Sequence, residues 1–242
     1  MLNKIRYRLL QVRNSDDPMH QNEIAAFVRV LETTPDRIKI FNLLSDQPSE
    51  KIFDETDMFL LGGSGHYSAA SDAEWLNRAL ELLREIHRSG IPTFASCWGF
   101  QAMARAMGGH VVNDLKRAEV GTHRLFLTDA GRCDPVFGPM GNSFFGQMGH
   151  EDRVLELPPD TTLLAFTELV DNQAYRFDGR PIYCTQFHPE LNQNDLIQRV
   201  RTYPEYIERL AQMPPDDFCR TVQDTTGTES LLKRFVTIYL KT

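Results

Sequence analysis

The 242-residue sequence predicts an α/β fold: a doubly wound, mostly parallel sheet with flanking helices, continued by a helical C-terminal extension. Three observations predict it. Short apolar runs alternate with longer segments of helical periodicity, the pattern of strands and crossover helices around a parallel sheet. The run Met58–Leu61 is apolar at every position and ends in Gly62-Gly63, as a strand covered on both faces does. After Asn192 the pattern turns helical and stays so to the end. We expect residues 1–192 to form one domain and residues 193–242 to pack on it as helices.

The elements follow in order. Arg8–Val12 reads as the first strand, and the polar residues 13–21 as a loop. Ile24, Phe27, Val28 and Leu31 recur at helical spacing. Ile38–Phe41 is a second strand and Met58–Leu61 a third. Asp72 is placed to cap a helix carrying Trp75, Leu76, Ala79, Leu80, Leu83 and Ile86 on one face and ending near Gly90. Pro92–Ala95 is the next strand, and a helix runs from about Gln101 to Met107. His123–Leu127 and Ile182–Phe187 are strands around two or three shorter ones. Leu231, Leu232, Phe235, Val236 and Tyr239 make an apolar stripe whose expected role is packing onto the main domain, a partner face being the alternative.

Composition excludes several classes. Lys and Arg total 26 against 33 Asp and Glu, a net charge of −7, so a phosphate-backbone binder is not expected. The four cysteines, Cys97, Cys133, Cys184 and Cys219, contain no C-x-x-C pair. Neither a zinc site nor a redox pair is indicated, and His20, His87, His110 and His123 show no metal-ligand spacing. No P-loop is present, and no cofactor is expected. The start, Met1–Arg6, lacks a secretory core, and no apolar run spans a bilayer, so cytoplasmic residence is the default expectation.

Chemistry concentrates at Pro92–Gln101, where a strand runs into Cys97 and a helix leaves it. Ala95 and Gly99, two residues to either side, are small. A nucleophile elbow needs this, because its sharp, strained turn leaves no room for larger neighbours. The helix N-terminus that follows favours a thiolate, the attacking form. A base appears in Gln186–Glu190, where His188 ends an apolar strand and Glu190 lies two residues on. In extended geometry both would point to one side, the carboxylate orienting the imidazole. The glycine loop Gly62–Gly65 can offer backbone N–H groups to an oxyanion, with the N–H of Trp98 as second donor.

Together these segments resemble the class I, or triad-type, glutamine amidotransferases. The resemblance covers roughly Phe53 to Leu191 and rests on four parts in the family's order: Phe59–Gly65, Ala95–Gln101 with Met107–Val111, Gln147–Asp152, and Gln186–Glu190. Where the family usually has Gly, this chain has Ala95, and Ser96 replaces a β-branched residue. Phe100 replaces the common His or Met, and Gly149 a Ser or Thr. The resemblance implies a flavodoxin-like sheet and an amidohydrolase. Cys97 would form a γ-glutamyl thioester, His188 would move the proton and Glu190 would orient His188. Gly63 and Trp98 would hold the oxyanion, and Gln101 with the backbone at Gly149 and His150 the substrate. It implies glutamine or a γ-glutamyl small molecule as substrate, with ammonia passing to an unidentified acceptor, for which a separate synthase subunit is one source. The alternative is a stand-alone γ-glutamyl peptidase. An inactive binding or scaffold protein on the same fold is the alternative of another class; it would have no need of nucleophile, base and orienter together.

Overall fold

The structure, a computed structural model, describes residues 5–49 and 51–240. Residues 1–4, read above for a secretory core, lie outside the described residues. A nine-stranded sheet has the order β2-β1-β3-β4-β11-β10-β9-β6-β7. Its parallel half comprises β1 (Tyr7–Gln11), β2 (Ile38–Asn42), β3 (Met58–Leu61), β4 (Thr93–Ser96) and β11 (Ile182–Thr185). The antiparallel remainder is β6 (Glu119–Leu127), β7 (Ser143–His150), β9 (Thr161–Phe166) and β10 (Ala174–Phe177). A separate ribbon pairs β5 (His110–Asn113) with β8 (Asp152–Glu156). The central strands β3, β4 and β11 are buried at every position; β3 is apolar throughout, while β4 and β11 also bury Thr93, Ser96 and Thr185.

Helices cover both faces. On one lie α3 (Glu74–Ser89) and α4 (Trp98–Ala106), packed through Leu76, Leu80, Leu83 and Met103 against Phe59 and Leu61. On the other lie α1 (Met19–Leu31) and α9 (Thr226–Tyr239), whose Phe27, Leu231 and Phe235 meet Leu60, Phe94 and Tyr183. Short helices α2 (Lys51–Asp54) and α5 (Asp129–Cys133) complete the edges. Helices α6 (Gln193–Thr202), α7 (Pro204–Ala211) and α8 (Pro215–Thr221) gather Leu196, Val200, Ile207 and Phe218 into a small core of their own. Among the described residues no helix is long and apolar enough to cross a membrane.

Three expectations change in detail. The residue at the cap of α3 is Ala73, and Asp72 instead accepts from Arg105 at 3.0 Å. The helix after Cys97 begins at Trp98, not at Gln101. The buried face of α1 is Met19, Glu23, Ala26, Phe27, Val30 and Leu31, one residue around from the stripe read in the sequence, because a carboxylate occupies a core position.

The C-terminal stripe meets the main core. The Phe235 ring is fully buried, 5.5 Å from Phe94, 5.5 Å from Tyr183 and 5.0 Å from Tyr239. Phe235→Ala should therefore cost about 3–5 kcal/mol. Urea unfolding checks this; a change under about 1 kcal/mol would mean that α9 is not part of the cooperative unit.

Candidate active site

Cys97 stands at the carboxyl end of β4, between the ends of β3 and β11. Ligands of such sheets bind at this edge. Its backbone has φ 53° and ψ −106°, strained for a residue with a side chain and held by its neighbours. The Cys97 N–H donates to the Thr185 carbonyl at 2.8 Å, and the Gly99 N–H to the Gly62 carbonyl at 3.2 Å. A Cβ on Gly99 would lie 2.4 Å from Leu61 Cβ and 3.3 Å from Ala95 Cβ. The small residues flanking Cys97 are thus demanded by the approach of β3. The thiol faces the Gly149 carbonyl oxygen, with Sγ at 3.6 Å.

His188 follows β11 and is pinned by its N–H to the Gln147 carbonyl at 2.9 Å. Its Nδ1 lies 2.6 Å from Glu190 Oε1, both groups buried. The two side chains meet across a turn rather than on an extended strand: the Leu191 N–H bonds back to the His188 carbonyl at 3.3 Å. Burial opposes charge on the ring, but the Glu190 carboxylate and Cys97 overcome it and raise His188 to about 9. Burial likewise opposes charge on Glu190, yet His188 and Arg199 hold its carboxyl below the usual range. A Cβ on Gly63 would lie 2.8 Å from His188 Cε1, 3.5 Å from His188 Nε2 and 3.7 Å from Cys97 Cβ. Thiol, imidazole edge and glycine loop therefore crowd one small space.

Two cavities meet at Cys97, and both also touch Ser64, Gly65 and Gly149. One is polar and is lined by Trp98, Gln101, His150, Glu151, Asp152 and Arg209. The other holds His188 and runs beneath α6 and α7. Gln101 Nε2 donates to the Asp152 carbonyl at 2.9 Å and to Gln186 Oε1 at 3.1 Å. Both ring nitrogens of His150 are engaged, with the Asp152 carbonyl at 3.0 Å and Glu119 at 3.2 Å. What His150 offers the cavity is therefore its backbone. Trp98 opens α4, where the first N–H groups have no intrahelical acceptor.

The Gly63 N–H is directed elsewhere. It donates to Glu23 Oε1 at 3.1 Å, inside a buried network the sequence reading missed. Glu23 also accepts from Gln11 at 2.8 Å and from Arg13 at 3.2 Å. Arg13 reaches Asp17 at 2.9 Å, and Asp17 accepts from the Tyr203 hydroxyl at 2.6 Å. Burial would raise the Asp17 carboxyl, but Tyr203, the Met19 N–H and Arg13 hold it low. The available signal was a Glu four residues before Phe27, on the helix face that packs inward.

The His188–Glu190 pair has a signed consequence for stability. His188 is raised from 6.5, so its contribution is fully present below pH 6.5 and is lost as pH rises through about 9. Glu190 is lowered, so its contribution is present above the ordinary carboxyl range and is lost only on acidification. The unfolding free energy of wild type minus that of Glu190→Gln should be largest near pH 5–6.5 and shrink toward pH 9. Denaturant titrations across that range check it, and a difference growing with pH would contradict it.

Comparison with known proteins agrees with this geometry. The family profile described as glutamine amidotransferase class-I matches residues 24–199. The chain is 29% identical to gamma-glutamyl peptidase 3 of Arabidopsis thaliana, over 72% of this chain and 71% of that protein. It is 30% identical to the glutamine-hydrolyzing GMP synthase of Streptomyces avermitilis, over 66% of this chain but 31% of that protein. A crystal structure of a glutamine amidotransferase from Thermotoga maritima superposes with a TM-score of 0.78 at 18% identity, covering 98% of this chain and 99% of that one. The architecture, the elbow at the carboxyl edge of the sheet and the family match lead to one conclusion: this chain belongs to the class I glutamine amidotransferase family.

Proposed function

We propose that this protein hydrolyses the γ-glutamyl amide bond through a thioester on Cys97, and that its leaving amines extend beyond ammonia. The observation that carries this reading is the meeting of two cavities at one thiol, only one of which contains His188. The acyl half of a substrate belongs in the polar cavity. There Glu151 and Arg209, ion-paired with each other, form the charged wall that a glutamyl ammonium and carboxylate would meet, while the Asp152 carboxylate is held by Ser68 and Asn113. The leaving amine belongs on the side of His188, which protonates it. The thiol loses its proton to His188, the C–S bond forms, the amide C–N bond breaks, and the nitrogen takes the proton. Water then attacks the thioester, restoring the thiol and releasing glutamate.

Glu190, 2.6 Å from His188 Nδ1, orients the ring so that Nε2 faces the sulfur side. The Trp98 N–H is the ready oxyanion donor. The Gly63 N–H joins it by exchanging Glu23 for the oxyanion. Gln101 props the Asp152 carbonyl, and the Gly149 carbonyl receives the resting thiol.

A second reading, ammonia transfer to a separate synthase subunit, is favoured by the similarity to a glutamine-hydrolyzing GMP synthase. Measuring ammonia and glutamate from glutamine beside glutamate from γ-glutamyl dipeptides separates the two. Strong dipeptide cleavage with no glutamine hydrolysis, even with synthase partners present, removes the transfer reading. The reverse result removes the peptidase one.

Variants test the chemistry itself. Cys97→Ala should abolish turnover and leave the fold intact, since it removes a thiol and no large packing group. His188→Ala should lower kcat/KM by about 10²–10⁴-fold. Glu190→Gln should cost less, because orientation is only partly lost. Wild-type turnover by folded Cys97→Ala protein would refute the nucleophile assignment, and a larger loss in Glu190→Gln than in His188→Ala would invert base and orienter.

A further inference from the structure

The cavity beside His188 has walls of its own that the acyl chemistry does not use. Val120, Leu191, Leu196, Val200 and Ile207 make it largely aliphatic, and four of the five come from the segment from Leu191 onward. Ammonia would need none of this surface. Two arginines also line it, and they differ in kind. Arg13 is fully committed, its three guanidinium nitrogens bonded to Glu23 and Asp17 at 2.9–3.2 Å. Arg199 is not. Its Nε reaches Asn22 Oδ1 at 3.3 Å, while its Nη2 is buried without a hydrogen-bond partner. A buried guanidinium N–H left unmatched is costly, and an incoming oxyanion would satisfy it.

Resting on the γ-glutamyl reading above, we propose that this cavity is a leaving-group subsite for an aliphatic amino acid with a free carboxylate. The substrates would then be γ-glutamyl dipeptides with an apolar second residue. The amino nitrogen of that residue sits by His188, its side chain lies on the aliphatic wall, and its carboxylate meets Arg199. When the amide C–N bond breaks and the C–S bond forms, the thiol proton passes through His188 to this nitrogen. The amino acid leaves intact, with no oxidant or second substrate involved. Arg199 also lowers the Glu190 carboxyl through its charge, so a test must separate carboxylate binding from an effect on the base.

Steady-state kinetics on four substrates makes that separation: γ-glutamyl-leucine, γ-glutamyl-glycine, γ-glutamyl-isoamylamide and glutamine. The isoamylamide keeps the leucine hydrocarbon and lacks its carboxylate. In wild type, kcat/KM for γ-glutamyl-leucine should exceed that for the isoamylamide by about tenfold or more, the worth of a hydrogen bond to a charged group. It should exceed that for γ-glutamyl-glycine by about tenfold or more through side-chain burial. Arg199→Gln should bring the leucine-to-isoamylamide ratio close to one, and Arg199→Lys should keep part of it.

An Arg199→Gln variant that slows both substrates equally, leaving the ratio intact, would show that Arg199 acts only through Glu190 and would overturn the subsite. So would a wild-type ratio near one, a result that needs no variant to fold. Glutamine hydrolysis without dipeptide cleavage would overturn the subsite and leave the thioester chemistry standing. No turnover of any of the four would overturn both.

Discussion

The molecule is organised around a backbone constraint at one residue. Cys97 occupies a conformation that a residue with a side chain avoids, and three strand ends hold it there. Its own N–H is taken by β11, and the N–H two residues later by the chain leaving β3. Gly99 must lack a side chain for β3 to come this near. The strain is sustained because the central strands are buried on both faces and cannot shift without opening the core. The helices on each face, α9 included, act as the clamp behind that turn.

Electrostatics does the second part of the arrangement. Two buried charge clusters flank the thiol, His188 with Glu190 on one side and Arg13 with Glu23 and Asp17 on the other. Ions taken out of water are tolerated only with close partners and matched hydrogen bonds. The first pair is local to one turn, and the second draws partners from distant segments. The second ties the end of β1, the start of α1, the glycine loop and Tyr203 at the α6–α7 junction into one unit. The position of the helices over the cavity beside His188 and that of the Gly63 peptide are therefore set within one buried network, through Asp17 and Glu23 respectively.

Much of this architecture is legible in the amino-acid sequence. Strand β3 announces itself because burial on both faces forces an unbroken apolar run. The elbow, the His188–Glu190 pair and the glycine loop are local motifs, and local spacing carries them. What is illegible depends on chain separation. Glu23 meets Gly63 across 40 residues, and Tyr203 meets Asp17 across 186. No periodicity encodes such a pairing, and Glu23 even displaces the apparent face of α1 by one position. Arg199 is hidden in the same way, since only the folded chain shows that its Nη2 is buried without a hydrogen-bond partner. The His188–Glu190 contact is expected from extended backbone but is made across a turn.

Cys184 gives the fold an asymmetry in its exposure to oxidative damage. It lies opposite Ala95 in the sheet register, one residue from the strand end, and burial pushes its thiol up to about 12. At neutral pH such a thiol stays protonated. Peroxides and disulfides react with thiolates, so this sulfur resists them although its strand lies beside the one that leads to Cys97. An oxidant would therefore leave the sheet intact at Cys184, whatever it does to the exposed Cys133.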